Sequence, residues 1–413
     1  MENLLNKQPD FRKKLFSEGT ELLPSVTEMF EFELAFLEYS QLDETELIER
    51  SAFFKKISGK ETLHFKTYSF YSKALVEKRS SLTKAYFESG KFSTGYATHS
   101  LFPYRGKFHP QLIKGLLNII GIQEGETVLD PMAGSGTTNI EASLIGINSI
   151  AVDISPFCQL MTKTKYDALK LEPSILEGVK EKSNELFKYF NTSDVLSKLN
   201  KIEDKNIMNV YYLTFLAFLD SMGYSKRVTR SSHEELFKKV LERYIITVTE
   251  FLKNPYFEQS KLGVTEVLPD SSAKELKIDE NSIDGVITSP PYSFAIDYAN
   301  NDKDQLEFLG YDVDELKSNM IGLIGKNKKE RLSNYFTDMA IVCTEVYRVL
   351  KPGKFFIMII GSNTNQTGGI RLEQTVIDSC KIIGMPLVKS ILKPIKGMRN
   401  TMKEEYVLFF QKY

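Results

Sequence analysis

Three aspartates and a proline pair carry the chemistry in this sequence. Asp130 lies near the start of Val128-Leu129-Asp130-Pro131-Met132-Ala133-Gly134-Ser135-Gly136-Thr137-Thr138. Pro131 cannot donate to a sheet ladder, so it ends the strand before it. Gly134 and Gly136, spaced by small Ala133 and Ser135, allow a tight turn with bare backbone close to a ligand. Thr137 or Thr138 can cap the next helix, whose first amides suit a carboxylate. The run lacks the Gly-Lys-Ser/Thr ending of phosphate loops, and the acid at its mouth repels phosphate. An anion facing a helix start fits a zwitterionic amino-acid tail, with Asp130 on the cationic amino group. Asp153, beside Ile154, ends the next strand, where an acid grips ribose hydroxyls. Asp270, in Val267-Leu268-Pro269-Asp270-Ser271-Ser272, is placed for an adenine amino group or, equally, as a helix cap. Amino acid, ribose and adenine together imply S-adenosyl-L-methionine as cofactor.

Further along, Thr288-Ser289-Pro290-Pro291-Tyr292 follows the apolar run Gly285-Val286-Ile287. Two prolines stop the strand and fix an extended bend, leaving carbonyls that point outward as acceptors. The Ser289 hydroxyl and Pro290 carbonyl suit the two hydrogens of a flat exocyclic amino group, and Pro291 holds the bend. Tyr292 offers a face for stacking a base. Nitrogen is its own nucleophile, so no covalent intermediate is needed. No Pro-Cys pair exists, which disfavours a cysteine-dependent attack on a ring carbon.

The elements that must position these residues alternate. Helix over 111–120, strand over 126–129, helix over 138–144 and strand over 149–152 predict a parallel sheet with helices on both faces. The alternation stops near Tyr166, and 166–262 reads as helices over 174–190, 207–219 and 233–252. Strand signals resume at 264–268, 282–287, 354–360 and 405–410. A helix over 328–350 leads into the turn Lys351-Pro352-Gly353. The first ninety or so residues read as mainly helical, with 53–71 open to helix or strand. The expectation is a Rossmann-like α/β methyltransferase domain over 93–165 and 263–413, an N-terminal mainly helical region over 1–92, and a helical insertion over 166–262. The polar segment 293–336 is expected to make few stabilising contacts without a partner.

At 413 residues, with 42% hydrophobic and 26% charged residues, the chain can bury a sizeable core. No apolar run reaches membrane-spanning length and the start is no signal peptide, which points to the cytoplasm and away from a membrane. Three cysteines and four histidines give no disulfide framework or metal spacing. The net charge of −1 hides asymmetry: 51–91 carries nine bases against three acids, and 381–403 carries six bases and no acid. Such patches, rather than the total, set polyanion binding.

The two motifs closely resemble those of the amino-methylating DNA methyltransferases, which modify cytosine N4 or adenine N6 in restriction-modification systems. The first is similar to that family's DPFAGSGTT, with Met132 for Phe, and the second to its (D/N/S)PP(Y/F/W) box. The resemblance implies a site-specific enzyme acting on a flipped base in duplex DNA, with serine at 289 favouring cytosine N4 over adenine N6. It implies a restriction endonuclease as a possible partner. The segment His99 to Gln111 resembles the family's closure over the methionine end of the cofactor, which adds Phe108, His109 and Pro110 to the site. Arg348 to Lys354 resembles its approach to the fifth strand.

One departure is that the catalytic motif follows the cofactor motif and the sequence given stops after the last strand. This moves target reading to the insertion, where Arg227 and Arg230 suit guanines, phosphates or plain solvent. Lys393, Lys396 and Arg399 in the acid-free stretch are further DNA candidates. Rival readings are adenine N6 methylation, RNA methylation at guanine N2, and an inactive cofactor-binding scaffold. The pattern sets no oligomeric state.

Overall fold

The computed structural model describes residues 14–70, 95–104, 106–192, 194–225, 231–291, 297–361, 369–395 and 404–413. Tyr292, Arg227, Arg230, Lys396 and Arg399 lie outside the described residues. The chain divides into two compact units, Met1–Gly121 with Lys163–Leu262, and Ile122–Thr162 with Gly263–Tyr413.

In the first unit, strands β1 (Glu21–Leu22), β2 (Phe54–Ile57) and β3 (Lys60–Glu61) form a small antiparallel sheet. The aromatic and lysine-rich stretch left open between helix and strand thus supplies both, since a helix over Leu63–Phe70 follows. Helix Met29–Gln41 packs on helix Pro110–Ile119. Between them Glu38 is fully buried and accepts from the Ala52 and Phe53 amides and Asn118 Nδ2, at 2.8, 3.2 and 2.6 Å. Helices Lys205–Ser225 and His233–Leu252 pair along their length around Phe190, Phe215, Phe218 and Phe237, all fully buried. Ser232 and Glu235 close a capping box on the second of these. The helix expected over 174–190 is instead a 3₁₀ turn at Pro173–Leu176 and a helix at Ser183–Phe190. Gly178, at φ 75°, sits between them in the left-handed region and breaks the helical path.

The second unit is built on seven strands: β4 (Thr127–Asp130), β5 (Asn148–Ala151), β6 (Thr265–Val267), β7 (Ile283–Thr288), β8 (Leu350–Gly361), β9 (Leu387–Pro394) and β10 (Glu404–Gln411). Their order is β6-β5-β4-β7-β8-β10-β9. The first five run parallel, while β10 is antiparallel to both β8 and β9. This is a Rossmann-like α/β sheet, with helices such as Thr137–Leu144, Lys328–Val349 and Leu372–Ile382 packed on it. Every residue of β7 is buried, as a central parallel strand requires.

Lys351-Pro352-Gly353 falls within β8, and the expected turn appears there as a break in the pairing, from Ile283↔Leu350 to Gly285↔Phe355, with Gly353 left-handed at φ 79°. The extra residues form an irregularity that tolerates proline's missing donor. One expectation for this unit needs correction: the polar segment after the catalytic motif is better held than expected. From residue 297 it forms helices Tyr298–Asn301, Lys303–Phe308 and Val313–Asn319, with caps from Asp297 and Asp312. Ala299, Leu306 and Val313 anchor it. Three apolar residues spread over three short helices leave no readable periodicity.

Candidate functional site

The site grows from the carboxyl ends of β4 and β7, neighbours that pair Val128 with Gly285 and Leu129 with Val286. Chain order reverses here, because β5 and β6 extend to one side of β4 and β8 to the other. Open α/β sheets bind ligands at such a switch point. Asp130 is the last residue of β4 and Thr288 the last of β7, so the two motifs emerge side by side.

The Thr288 hydroxyl donates to Asp130 Oδ1 at 2.7 Å, and the Met132 amide donates to the same oxygen at 3.1 Å. Asp130 is 0% exposed, and its Oδ2 makes no hydrogen bond among the described residues. Burial pushes this carboxyl up to about 6 and Asp153 adds to the rise. The Thr288 hydroxyl, the nearby Thr138 hydroxyl and the Met132 amide hold it below what burial alone would give. A buried carboxylate with one oxygen held by protein donors and the other open among the described residues is able to take a cationic group.

The loop after Asp130 is shaped by backbone. Gly136, at φ 74°, is the cap residue of helix Thr137–Leu144, and a Cβ there would come within 2.7 Å of the Thr162 side chain. Neither Thr137 nor Thr138 caps this helix, contrary to expectation. The left-handed glycine takes the cap position and both threonines lie inside the first turn, with no side-chain cap over the amides. Ser135 and Thr137 hydroxyls are 3.3 Å apart, and the Ala133 amide bonds to Val152 O, tying the loop to the end of β5. Pro131 and Ala133 are buried.

Asp153 stands just past β5. Its Oδ2 accepts from the Gly134 amide and its Oδ1 from the Ser155 amide, both at 2.8 Å, and burial raises its pKa. It therefore shapes the glycine loop as well as facing it, and Ile154 beside it is half-buried. Asp270 stands just past β6 and is exposed. The Gln159 side chain reaches both turns, donating to Asp153 O at 2.6 Å and Pro269 O at 3.3 Å. The three acids thus line the ends of three adjacent strands, about 4.8 Å apart in the sheet. That row, an anion at the glycine loop followed by two further acids, fits a molecule carrying an ammonium, a ribose and an adenine.

Ser289, Pro290 and Pro291 follow β7 directly, with Pro290 buried and the other two half-buried. Phe108, His109 and Pro110 belong to the other compact unit, where Pro110 opens helix Pro110–Ile119 and Phe108 and His109 are half-buried. Lys393, a DNA candidate, lies on β9 and is ion-paired with Glu405 on β10, so its charge is already met. Two residues had no role in the sequence analysis: Thr288 was named only as the first residue of its motif and Gln159 not at all, and only the folded sheet brings them to the acids.

Known proteins point the same way. A family described as UPF0020, RMKL-like, methyltransferase domain, matches residues 100–214. The Type II methyltransferase M.BsoBI of Geobacillus stearothermophilus is 26% identical over 298 residues, covering 58% of each chain. The Type II methyltransferase M.MjaII of Methanocaldococcus jannaschii is 32% identical over 161 residues, covering 37% of this chain and 30% of its own. A tRNA (guanine(10)-N2)-dimethyltransferase of Methanothermobacter thermautotrophicus is 30% identical over 91 residues, covering 22% of this chain and 27% of its own. The match thus spans little more than half of M.BsoBI and less than a third of M.MjaII.

With these methyltransferase relatives, S-adenosyl-L-methionine is the cofactor. Among the described residues no helix is long and apolar enough to cross a membrane.

Proposed function

We propose that this chain is a DNA methyltransferase that transfers a methyl group to the exocyclic N4 of a flipped cytosine in duplex DNA, as one half of a restriction-modification system. The observation that carries this reading is the hydrogen bond between Thr288 and Asp130, which sets the amino-acceptor motif against the cofactor acid. The names of the Type II methyltransferase relatives support DNA as the acceptor.

Bound S-adenosyl-L-methionine supplies a methyl group on a cationic sulfur; the N–C bond forms as the S–C bond breaks, leaving a neutral thioether while the amino nitrogen gives its proton to solvent. The chain's part is orientation. Asp130 holds the ammonium, Asp153 the ribose and Asp270 the adenine. Ser289 and the Pro290 carbonyl accept the hydrogens of the target amino group, aiming its lone pair at the methyl carbon. Tyr292 stacks on the base. All three cysteines are buried, Cys158 2% exposed and Cys343 and Cys380 0%, which leaves no thiol at hand for a covalent route through a ring carbon. Residues 93–165 and 263–413 form the catalytic domain in this reading. The insertion 166–262 reads the target, with Arg227 and Arg230 at the DNA. Serine at 289 favours cytosine N4 over adenine N6.

The tRNA methyltransferase relative favours a second reading, transfer to a guanine amino group in RNA. Incubation with methyl-labelled S-adenosyl-L-methionine and either unmethylated duplex DNA or transfer RNA separates the two. Label in the duplex is expected, and label in RNA alone overturns the reading. Ser289→Ala is expected to lower kcat while leaving the KM for S-adenosyl-L-methionine near wild type.

A further inference from the structure

We infer that Thr288 is a positioning residue for the cofactor: its hydroxyl locks the Asp130 carboxylate so that Oδ2 presents to the ammonium of the amino-acid tail. The inference rests on the cofactor reading given above and goes beyond it, because Thr288 touches no reacting atom.

The geometry carries the argument. Thr288 and Asp130 are both 0% exposed, at the ends of neighbouring parallel strands, and 2.7 Å separates Oγ1 from Oδ1. Oδ1 also accepts the Met132 amide, so two donors from different segments fix one oxygen. A carboxylate pinned at one oxygen from two directions cannot rotate about its bond to Cβ, and the second oxygen is aimed. That oxygen is buried and makes no hydrogen bond among the described residues; the Thr138 hydroxyl, which also acts on this carboxyl, is likewise unmet. Buried polar atoms are as a rule met by protein donors, and here the unmet oxygen belongs to a residue at the switch point of the sheet. Thr288 also opens the Thr288-Ser289-Pro290-Pro291 run, so the bond that orients the cofactor acid anchors the strand end holding the acceptor motif.

Binding of S-adenosyl-L-homocysteine, which keeps the ammonium and needs no turnover, tests this by calorimetry between pH 5 and 8. Thr288→Val removes the hydroxyl at nearly constant shape and is expected to weaken binding about 10-fold at pH 7.5. Asp130 must be ionised to hold the ammonium, and Asp153 is the charged neighbour acting on it. Losing a donor to the carboxylate raises its pKa, so the acid limb of the affinity profile moves to higher pH in Thr288→Val. Thr288→Ser keeps the donor and restores both affinity and limb. The double variant Thr288→Val with Asp130→Asn is expected to bind like Asp130→Asn alone.

Wild-type affinity and an unmoved limb in Thr288→Val overturn the inference, as do losses that simply add in the double variant. If Thr288→Val does not fold, Thr288→Ala removes the same hydroxyl and carries the same outcomes. Wild-type protein that binds no S-adenosyl-L-homocysteine overturns the cofactor reading and this inference together. Wild-type protein that binds it and methylates only RNA overturns the DNA reading and leaves Thr288 in place.

Discussion

Each compact unit buries a carboxylate completely, and the two are finished differently. Glu38 in the first unit takes three N–H donors on its two oxygens. Asp130 in the second takes two donors on one oxygen and none on the other among the described residues. Burial raises both, Glu38 to about 7 and Asp130 to about 6. Glu38 repays its desolvation by joining Met29–Gln41 to the 52–53 backbone and to Asn118, so its work is holding the fold. Asp130 is left with one oxygen unmet among the described residues. Neither burial nor an unmet oxygen alone marks a functional acid, since Asp338 on helix Lys328–Val349 also has a buried oxygen unmet among them. Asp130 combines that with a place at the end of β4, at the switch point of the sheet.

The largest effect that would sharpen this contrast is on stability. Glu38→Ala strands the Ala52 and Phe53 amides and Asn118, and is expected to cost about 3 kcal/mol in denaturant unfolding. The protein that remains folded should bind S-adenosyl-L-homocysteine as wild type does. Asp130→Asn should do the reverse. Asparagine keeps an acceptor for Thr288 and Met132, so the Tm should stay within about 3 °C while S-adenosyl-L-homocysteine binds about 100-fold more weakly. If Asp130→Asn unfolds the protein and leaves affinity intact, the contrast is broken.

Acidity separates the two groups next. Cofactor affinity requires the ionised Asp130, so it should be level above about pH 6 and fall about 10-fold per unit below, as read by calorimetry. For Glu38 the folded pKa lies above the unfolded value of 4.5, so the folded state keeps the proton longer. Its stability contribution is greatest below pH 4.5 and declines as pH rises to about 7, a trend that Glu38→Gln should flatten in urea titrations. The smallest effect concerns Lys393. Because its charge is met by Glu405, Lys393→Ala should change duplex affinity by less than about 2-fold in an anisotropy titration. A larger loss would mean that the pair opens onto DNA.

The same contrast explains what the sequence could reveal. Around the site the two motif-bearing strands were legible because β4 and β7 are almost wholly buried and a proline follows each within two residues. Strands expected at 126–129 and 282–287 lie at Thr127–Asp130 and Ile283–Thr288. Strand β9 was read only as a basic stretch. It sits at the sheet edge with Ile391 as its one buried residue, so it carries no apolar alternation. Helix Leu372–Ile382, packed on β8, was likewise passed over. The motifs named the acids, but not what completes them. The bond from Thr288 to Asp130 joins residues 158 apart and exists only because β7 lies beside β4. Satisfaction of lone pairs is a property of that neighbourhood, and no local pattern encodes it.

The measurement that tests the central claim most directly is the identity of the product. Unmethylated duplex DNA is incubated with this protein and methyl-labelled S-adenosyl-L-methionine, digested to nucleosides and read by mass spectrometry. The account predicts labelled N4-methylcytosine, abolished when Asp130 is changed to asparagine. Labelled N6-methyladenine alone would contradict the cytosine assignment, and a duplex that takes up no label would contradict the account as a whole.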